Sequence, residues 1–125
     1  MDVSSSSRLS LARALRELAD GSSEAALRSA LSRSYYSIFH AANLLFGKVG
    51  HGDVAKKLGS IDPELEARVE RLQQLRSLAD YDPKMVEREF KGSLEQFRLD
   101  VRQSVDEGLS IFNRIVGELE RKAGD

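Results

Sequence analysis

Cysteine and tryptophan are absent from this chain, and only two prolines occur in its 125 residues. Without cysteine there is no disulfide and no thiolate metal site, so packing alone must hold the fold. The same absence is what a reducing cytoplasm would favour, and a cytoplasmic protein is the expectation. Aromatic residues make up only 6%, which with so few prolines argues against an all-β domain. No apolar run approaches the ~20 residues needed to span a bilayer. The first ten residues, MDVSSSSRLS, lack the apolar core of a secretory signal. No charge sign dominates: the net charge is -1 with 31% charged residues, so no global basic field points to a large nucleic-acid footprint. There is no internal repeat, no alternating apolar pattern of strand type, no nucleophile elbow and no paired-carboxylate arrangement. The stretch GKVGHG (47–52) is neither a Walker loop nor a dinucleotide fingerprint.

What is present is helical periodicity. The length suits one domain with one core, with residues 1–7 and 122–125 expected to be flexible. Leu11, Leu15 and Leu18 space a first helix that Gly21 would end. Ser22 or Ser23 can cap a second over about 23–46. The glycines of 47–52 make a turn, and a short helix fits 53–59. Asp62-Pro63 is a start signal, aspartate at N-cap and proline at N1. From it Leu65, Val69, Leu72 and Ala79 step at helical spacing, and Asp82-Pro83 breaks the chain again. Ser93 with Gln96 forms a capping box. Leu94, Phe97, Val101, Val105, Leu109, Phe112, Val116 and Leu119 then make one stripe, weakened slightly by Gly92, Gly108 and Gly117. The expected fold class is all-α: four main helices and one short one, joined by short loops that favour antiparallel neighbours.

The second helix carries the first functional signal. On a helical projection Leu27, Leu31, Ile38 and Leu45 share one side, widened by Tyr35, Phe39 and Phe46 one way and by Ala26, Ser37 and Leu44 the other. Arg33, Tyr36, His40 and Asn43 fall together on what remains. Between Ala25 and Phe46 the only charges are Arg28 and Arg33. The strip is either a plain wet face or a partly buried polar cluster; so low a charge density suits a helix covered on most sides. A covered arginine needs a partner. Arg76 continues the core stripe Leu65, Val69, Leu72, and Asp80 follows one turn later. Two helices thus carry off-pattern polar residues that can meet, as an interhelical ion pair setting packing register or as a ligand or catalytic site. His40, His51 and Asp80 would make a three-ligand metal set, but their spacing does not demand one, and no metal or cofactor is expected. His51 is a local turn residue or a proton-transfer group. The basic residues Lys48, Lys56, Lys57, Arg68, Arg71 and Arg88 are interleaved with acids, so no sharp basic patch is legible.

The segment ALSRSYYSIFHAANLLF resembles the signature helix of HEPN domains, in the stand-alone prokaryotic branch where A-x-S-R-A-Y-Y-A-x-F-H-A-A is typical. GHGDVAKKL resembles the histidine-and-glycine segment that follows, and LRSLADYD the R-x-x-A-D-Y segment of the next long helix. The resemblance spans about residues 9–120. It implies an up-and-down four-helix bundle with a short additional helix, and a homodimer joined through the motif-bearing helices. It also implies a minimal nucleotidyltransferase as partner in a toxin–antitoxin or defence-type pair, with RNA or a nucleotide as ligand. Many members are metal-independent ribonucleases with an R-x(4–6)-H motif on the later long helix. There histidine acts as general acid or base and arginine stabilises the phosphorane-like charge. The corresponding segment here, Arg76 to Tyr81, has no histidine, and an ionised Asp80 beside Arg76 would offset its charge. Arg33 and His40 satisfy R-x6-H on the earlier helix, which makes them the candidate catalytic pair. Tyr36, Asn43, His51, Arg76, Asp80 and Tyr81 are the candidate binding residues.

Overall fold

Every regular element over residues 5–19 and 23–124, the residues described by the computed structural model, is an α-helix. In chain order these are α1 (Ser5–Ala19), α2 (Glu24–Phe46), α3 (Val54–Gly59), α4 (Pro63–Tyr81), α5 (Met85–Phe90) and α6 (Leu94–Gly124). The expected termination signal at Gly21, the alternative cap at Ser22, residues 1–4 and Asp125 lie outside the described residues, as does the side chain of Leu18. The helices reach into the segments expected to be flexible. Ser7 is buried in α1, and α6 continues to Gly124 with Lys122 Nζ donating to the Leu45 carbonyl at 3.0 Å.

The helix starts follow local chemistry. Ser23 Oγ accepts the Ala26 N–H and Asp62 Oδ1 the Glu64 N–H, with Pro63 at the first helical position. At α6, Ser93 Oγ accepts the Gln96 N–H, but the reciprocal half of the capping box does not form, because the Ser93 N–H is taken by the Phe90 carbonyl. That carbonyl belongs to α5, a second short helix where one was expected. Asp82 makes it: its Oδ1 accepts the Lys84 N–H just beyond Pro83, and six residues suffice to bury Met85 and Val86.

Helix directions follow from which residues pair. Arg28 of α2 reaches Ala79 and Asp82, and Ser32 reaches Asp80, so α2 and α4 run antiparallel. Asp62, Arg68 and Arg71 pair with Arg114, Glu107 and Asp100 in that order, so α4 and α6 are antiparallel too. Ser34 lies against Gly108 and Leu45 against Lys122, which makes α2 and α6 parallel. With α1 folded onto α2, the long helices alternate in direction.

Helix α2 is the hub, packed on α1, α4 and α6. Leu27, Leu31, Tyr35, Ile38, Ala41 and Ala42 have no exposed surface, which is why the helix carries so little charge. Each fully buried leucine or isoleucine contributes about 1.5–3 kcal/mol. The buried face of α6 is wider than its expected stripe. Ile111 and Ile115 join Phe97, Val101, Val105, Phe112 and Leu119, while Leu94 is left 38% exposed. Gly108 explains the width. A Cβ there would overlap Ser34 Oγ, so glycine lets α6 lie directly on α2.

Candidate functional site

Against α4, α2 presents Ser32, Tyr35 and Tyr36, with Phe39 beside Tyr35. Helix α4 answers with Arg76, in the core register its spacing predicts: Leu65, Val69, Leu72, Arg76 and Ala79 are all buried. Arg76 is 7% exposed. Its guanidinium carbon lies 4.7 Å from the centre of the Tyr35 ring and 5.4 Å from that of Tyr36, so the cation is held over two π-faces. Its ion pair is with Asp80, one turn on in the same helix, at 3.5 Å. The Asp80 side chain is 27% exposed and also accepts a 3.4 Å bond from Ser32 Oγ. Arg76 Nε is buried and has no partner. Besides the loose carboxylate the guanidinium also acts on the Tyr35 hydroxyl, and the orphaned Nε–H leaves capacity for one anionic acceptor.

The loop after α2 closes one side. Gly47 takes φ +81° at the helix end, a conformation glycine adopts freely. Asn43 Nδ2 donates to the Phe39 carbonyl at 2.8 Å while its Oδ1 accepts the Val49 N–H at 2.6 Å. Asn43 therefore spends both ends of its amide on holding the loop, and the loop carries His51. The imidazole of His51 stacks on Phe39 at 3.9 Å and 13°, meets Tyr36 edge-on at 5.7 Å, and bonds Tyr35 Oη through Nδ1 at 2.8 Å. His40 lies 6.0 Å from Tyr36, ring centre to ring centre.

Burial pushes the Tyr35 hydroxyl up to about 12, with Tyr36 adding to the rise and Arg76 opposing it. His51 is pushed down from its ordinary 6.5 by burial first, then by Arg76 and His40. Near neutral pH the pair is thus a protonated phenol and a neutral imidazole. With Tyr35 donating to Nδ1, the imidazole proton sits on Nε2. In the opposite arrangement Nε2 offers a lone pair.

Of the residues singled out from sequence, Tyr36, His40, His51, Arg76 and Asp80 come together, and Asn43 supports them. Arg33 does not join by any bond: it makes no hydrogen bond or ion pair among the described residues, and Asp80 is held by Arg76 and Ser32 instead. The arginine that ties α2 to α4 is Arg28, which donates to the carbonyls of Ala79, Asp82 and Pro83 at 2.9, 2.9 and 3.1 Å and pairs with Glu24. It neutralises the carbonyl end of α4. Tyr81 is 76% exposed and makes no side-chain hydrogen bond or ring contact among the described residues. Tyr35 and Phe39 were assigned to the apolar side of α2, yet they form the floor of the site. His40, His51 and Asp80 do not form a ligand set; among the described residues no group of three such side chains is placed to hold a metal ion.

The charge surface also differs from the sequence impression. Arg68, Arg71 and Arg88 are taken up by Glu107, Asp100 and Asp82. Lys48, Lys56 and Lys57 are exposed, and neither they nor Arg33 is ion-paired among the described residues. Between Ala25 and Ser60 the only acid is Asp53. The helix–loop–helix stretch that carries His51 is therefore locally basic in a chain of net charge -1. Among the described residues, no helix is long and apolar enough to cross a membrane. No protein-family model, no curated protein and no solved structure matches this chain.

Proposed function

We propose that the chain is a HEPN-like helical protein, the cytoplasmic, homodimeric partner of a minimal nucleotidyltransferase in a toxin–antitoxin or defence-type pair. Its α2–α4 site binds the phosphate of a nucleotide or RNA. The supporting observation is Arg76: a guanidinium placed in a core stripe, 7% exposed, with Nε unpartnered and a single ion pair at 3.5 Å. A phosphate oxygen supplies the missing acceptor, and arginine suits phosphate by geometry and charge. The partly buried rings of Tyr36, Phe39, His40 and His51 form an aromatic cluster against which a base can stack. Unpaired Arg33, Lys48, Lys56 and Lys57 favour a polyanion nearby.

The chain has no tryptophan, so in a Tyr81→Phe background tyrosine emission reports on Tyr35 and Tyr36 beside the ligand. Titration with a short single-stranded RNA should quench or shift that emission and raise the melting temperature of wild type, and do neither with Arg76→Gln. Equal binding by the variant would refute the reading. Binding of an acidic peptide in place of RNA would assign the site to a protein segment.

The second reading is a metal-independent ribonuclease, and the position of His51 supports it. An imidazole held neutral, 2.8 Å from a phenol and within the field of Arg76, can act as a general base through Nε2 when Nδ1 carries the proton. His40 with Arg33 is the alternative pair. RNA cleavage in excess chelator, leaving a 2′,3′-cyclic phosphate and abolished by His51→Gln or His40→Gln in a folded protein, would establish it. Intact RNA after prolonged incubation leaves binding alone.

A further inference from the structure

Three cationic or potentially cationic groups crowd one end of the α2–α4 seam: Arg76, His51 and His40. Among the described residues the carboxylate that meets this group is Asp80, and it is already paired with Arg76. The groups around His51 can be named element by element. Helix α2 contributes Tyr35, Tyr36 and His40; α4 contributes Arg76 with Asp80 beside it; the loop itself carries Lys48 and Asp53, and α3 carries Lys56 and Lys57. In the free protein a second positive charge here is opposed by burial, Arg76 and His40, which bias His51 toward its neutral form. An anion seated on Arg76 changes the sign of that field. The orphaned Arg76 Nε fixes where such an anion is wanted, and the 3.9 Å stack on Phe39 with the 2.8 Å bond to Tyr35 fixes His51 on the same wall.

We propose that the site takes up a phosphate group and a proton together, His51 becoming the second cation beside Arg76. This rests on the phosphate-binding reading above and adds to it a role for His51 and a regulation by pH. The proton adds to the imidazole so that both ring nitrogens carry hydrogen; no bond in the ligand is made or broken. By linkage, an anion that favours protonated His51 must bind more tightly where protons are more available. Affinity therefore rises as pH falls, by up to about tenfold per pH unit in the window between the free-state and bound-state values of His51. Its free-state value lies below 6.5.

The test uses a phosphodiester dinucleotide, whose single charge does not titrate between pH 5 and 8 and so adds no proton of its own. Calorimetric titrations of the full chain near pH 7, in buffers of different ionisation heat, count protons taken up. The expected result is fractional uptake, with affinity rising from pH 8 toward pH 5.5. Only two histidines occur in the chain, so NMR follows each directly: His51 should titrate at higher pH with the dinucleotide bound than without it. Binding without proton uptake would overturn the coupling while leaving the phosphate site standing. Uptake located on His40, with His51 unmoved, would overturn it equally. No binding at any pH would remove both. His51→Gln should bind with a flat pH profile; if that variant unfolds, the wild-type NMR titration still decides.

Discussion

Helix α2 meets two neighbours in opposite ways. Against α6 the contact is close and neutral: Gly108 of α6 lies so near Ser34 of α2 that a methyl group would collide with the Ser34 hydroxyl, itself buried without a hydrogen-bond partner. Against α4 the contact is aromatic and charged, and it contains a guanidinium with an unused donor. Both seams leave a buried polar atom open, a neutral hydroxyl in the fitted one and a donor of a cation in the other, and an open charged group is the costlier unless something completes it. The largest single stability effect is expected in the first seam and the function in the second.

The largest effect should come from the fitted seam. Gly108→Val forces a branched side chain into Ser34 and should cost about 3 kcal/mol, at the upper end for overpacking, read as a lowered urea midpoint. Gly108→Ala sharpens the point. It should be about 1 kcal/mol more favourable in a Ser34→Ala background than in wild type, because the clash then disappears and the helix-propensity gain of alanine remains.

Next in size is Arg28→Ala. Arg28 donates to three carbonyls at the end of α4 while only 16% exposed, and its loss should cost about 2 kcal/mol. This register lock, rather than an Arg33–Asp80 pair, joins α2 to α4. Arg33→Ala, which removes no bond, should change stability by less than about 0.5 kcal/mol.

Much of this was legible in the sequence. The core stripes of α2 and α4, the caps at Ser23 and Asp62, and the misfit of Arg76 all followed from spacing, because periodicity and capping are local. The meeting of Tyr36 and His40 with Arg76 and Asp80 followed from putting misfits together; the seat of His51 against Tyr35 and Phe39, and the absence of Arg33 from the cluster, did not. What was not legible depends on the third dimension. Arg28 and Arg33 are alike in sequence; only the position of α4's last carbonyls selects Arg28. Gly108 reads as a weak point until the neighbouring Ser34 is seen. Helix α5 is too short for periodicity to register. The free lysines of 48–57 look ordinary until acids elsewhere are found to be paired with other arginines.

Smaller effects should appear with pH. His51 has its value lowered on folding, so the unfolded chain binds the proton more readily. The stability this contributes is present above pH 6.5 and is lost as pH falls through the folded-state value. Tyr35 is raised from 10.0 to about 12, so its contribution is present below pH 10 and lost between about pH 10 and 12. Melting temperature against pH should decline on both flanks. His51→Phe should remove the acid-side decline and Tyr35→Phe the alkaline one.

The most direct measurement is Arg76→Met, melted and titrated with the same phosphodiester in parallel with wild type. If the α2–α4 seam is built to receive a phosphate, replacing its incompletely partnered cation by an apolar chain of similar length should alter stability by less than about 1 kcal/mol. Asp80 is exposed enough to remain hydrated without its partner. Phosphodiester binding should vanish. A loss of about 3 kcal/mol or more with binding unchanged, or a wild type that binds no phosphodiester at all, would mean that Arg76 only holds the helices together.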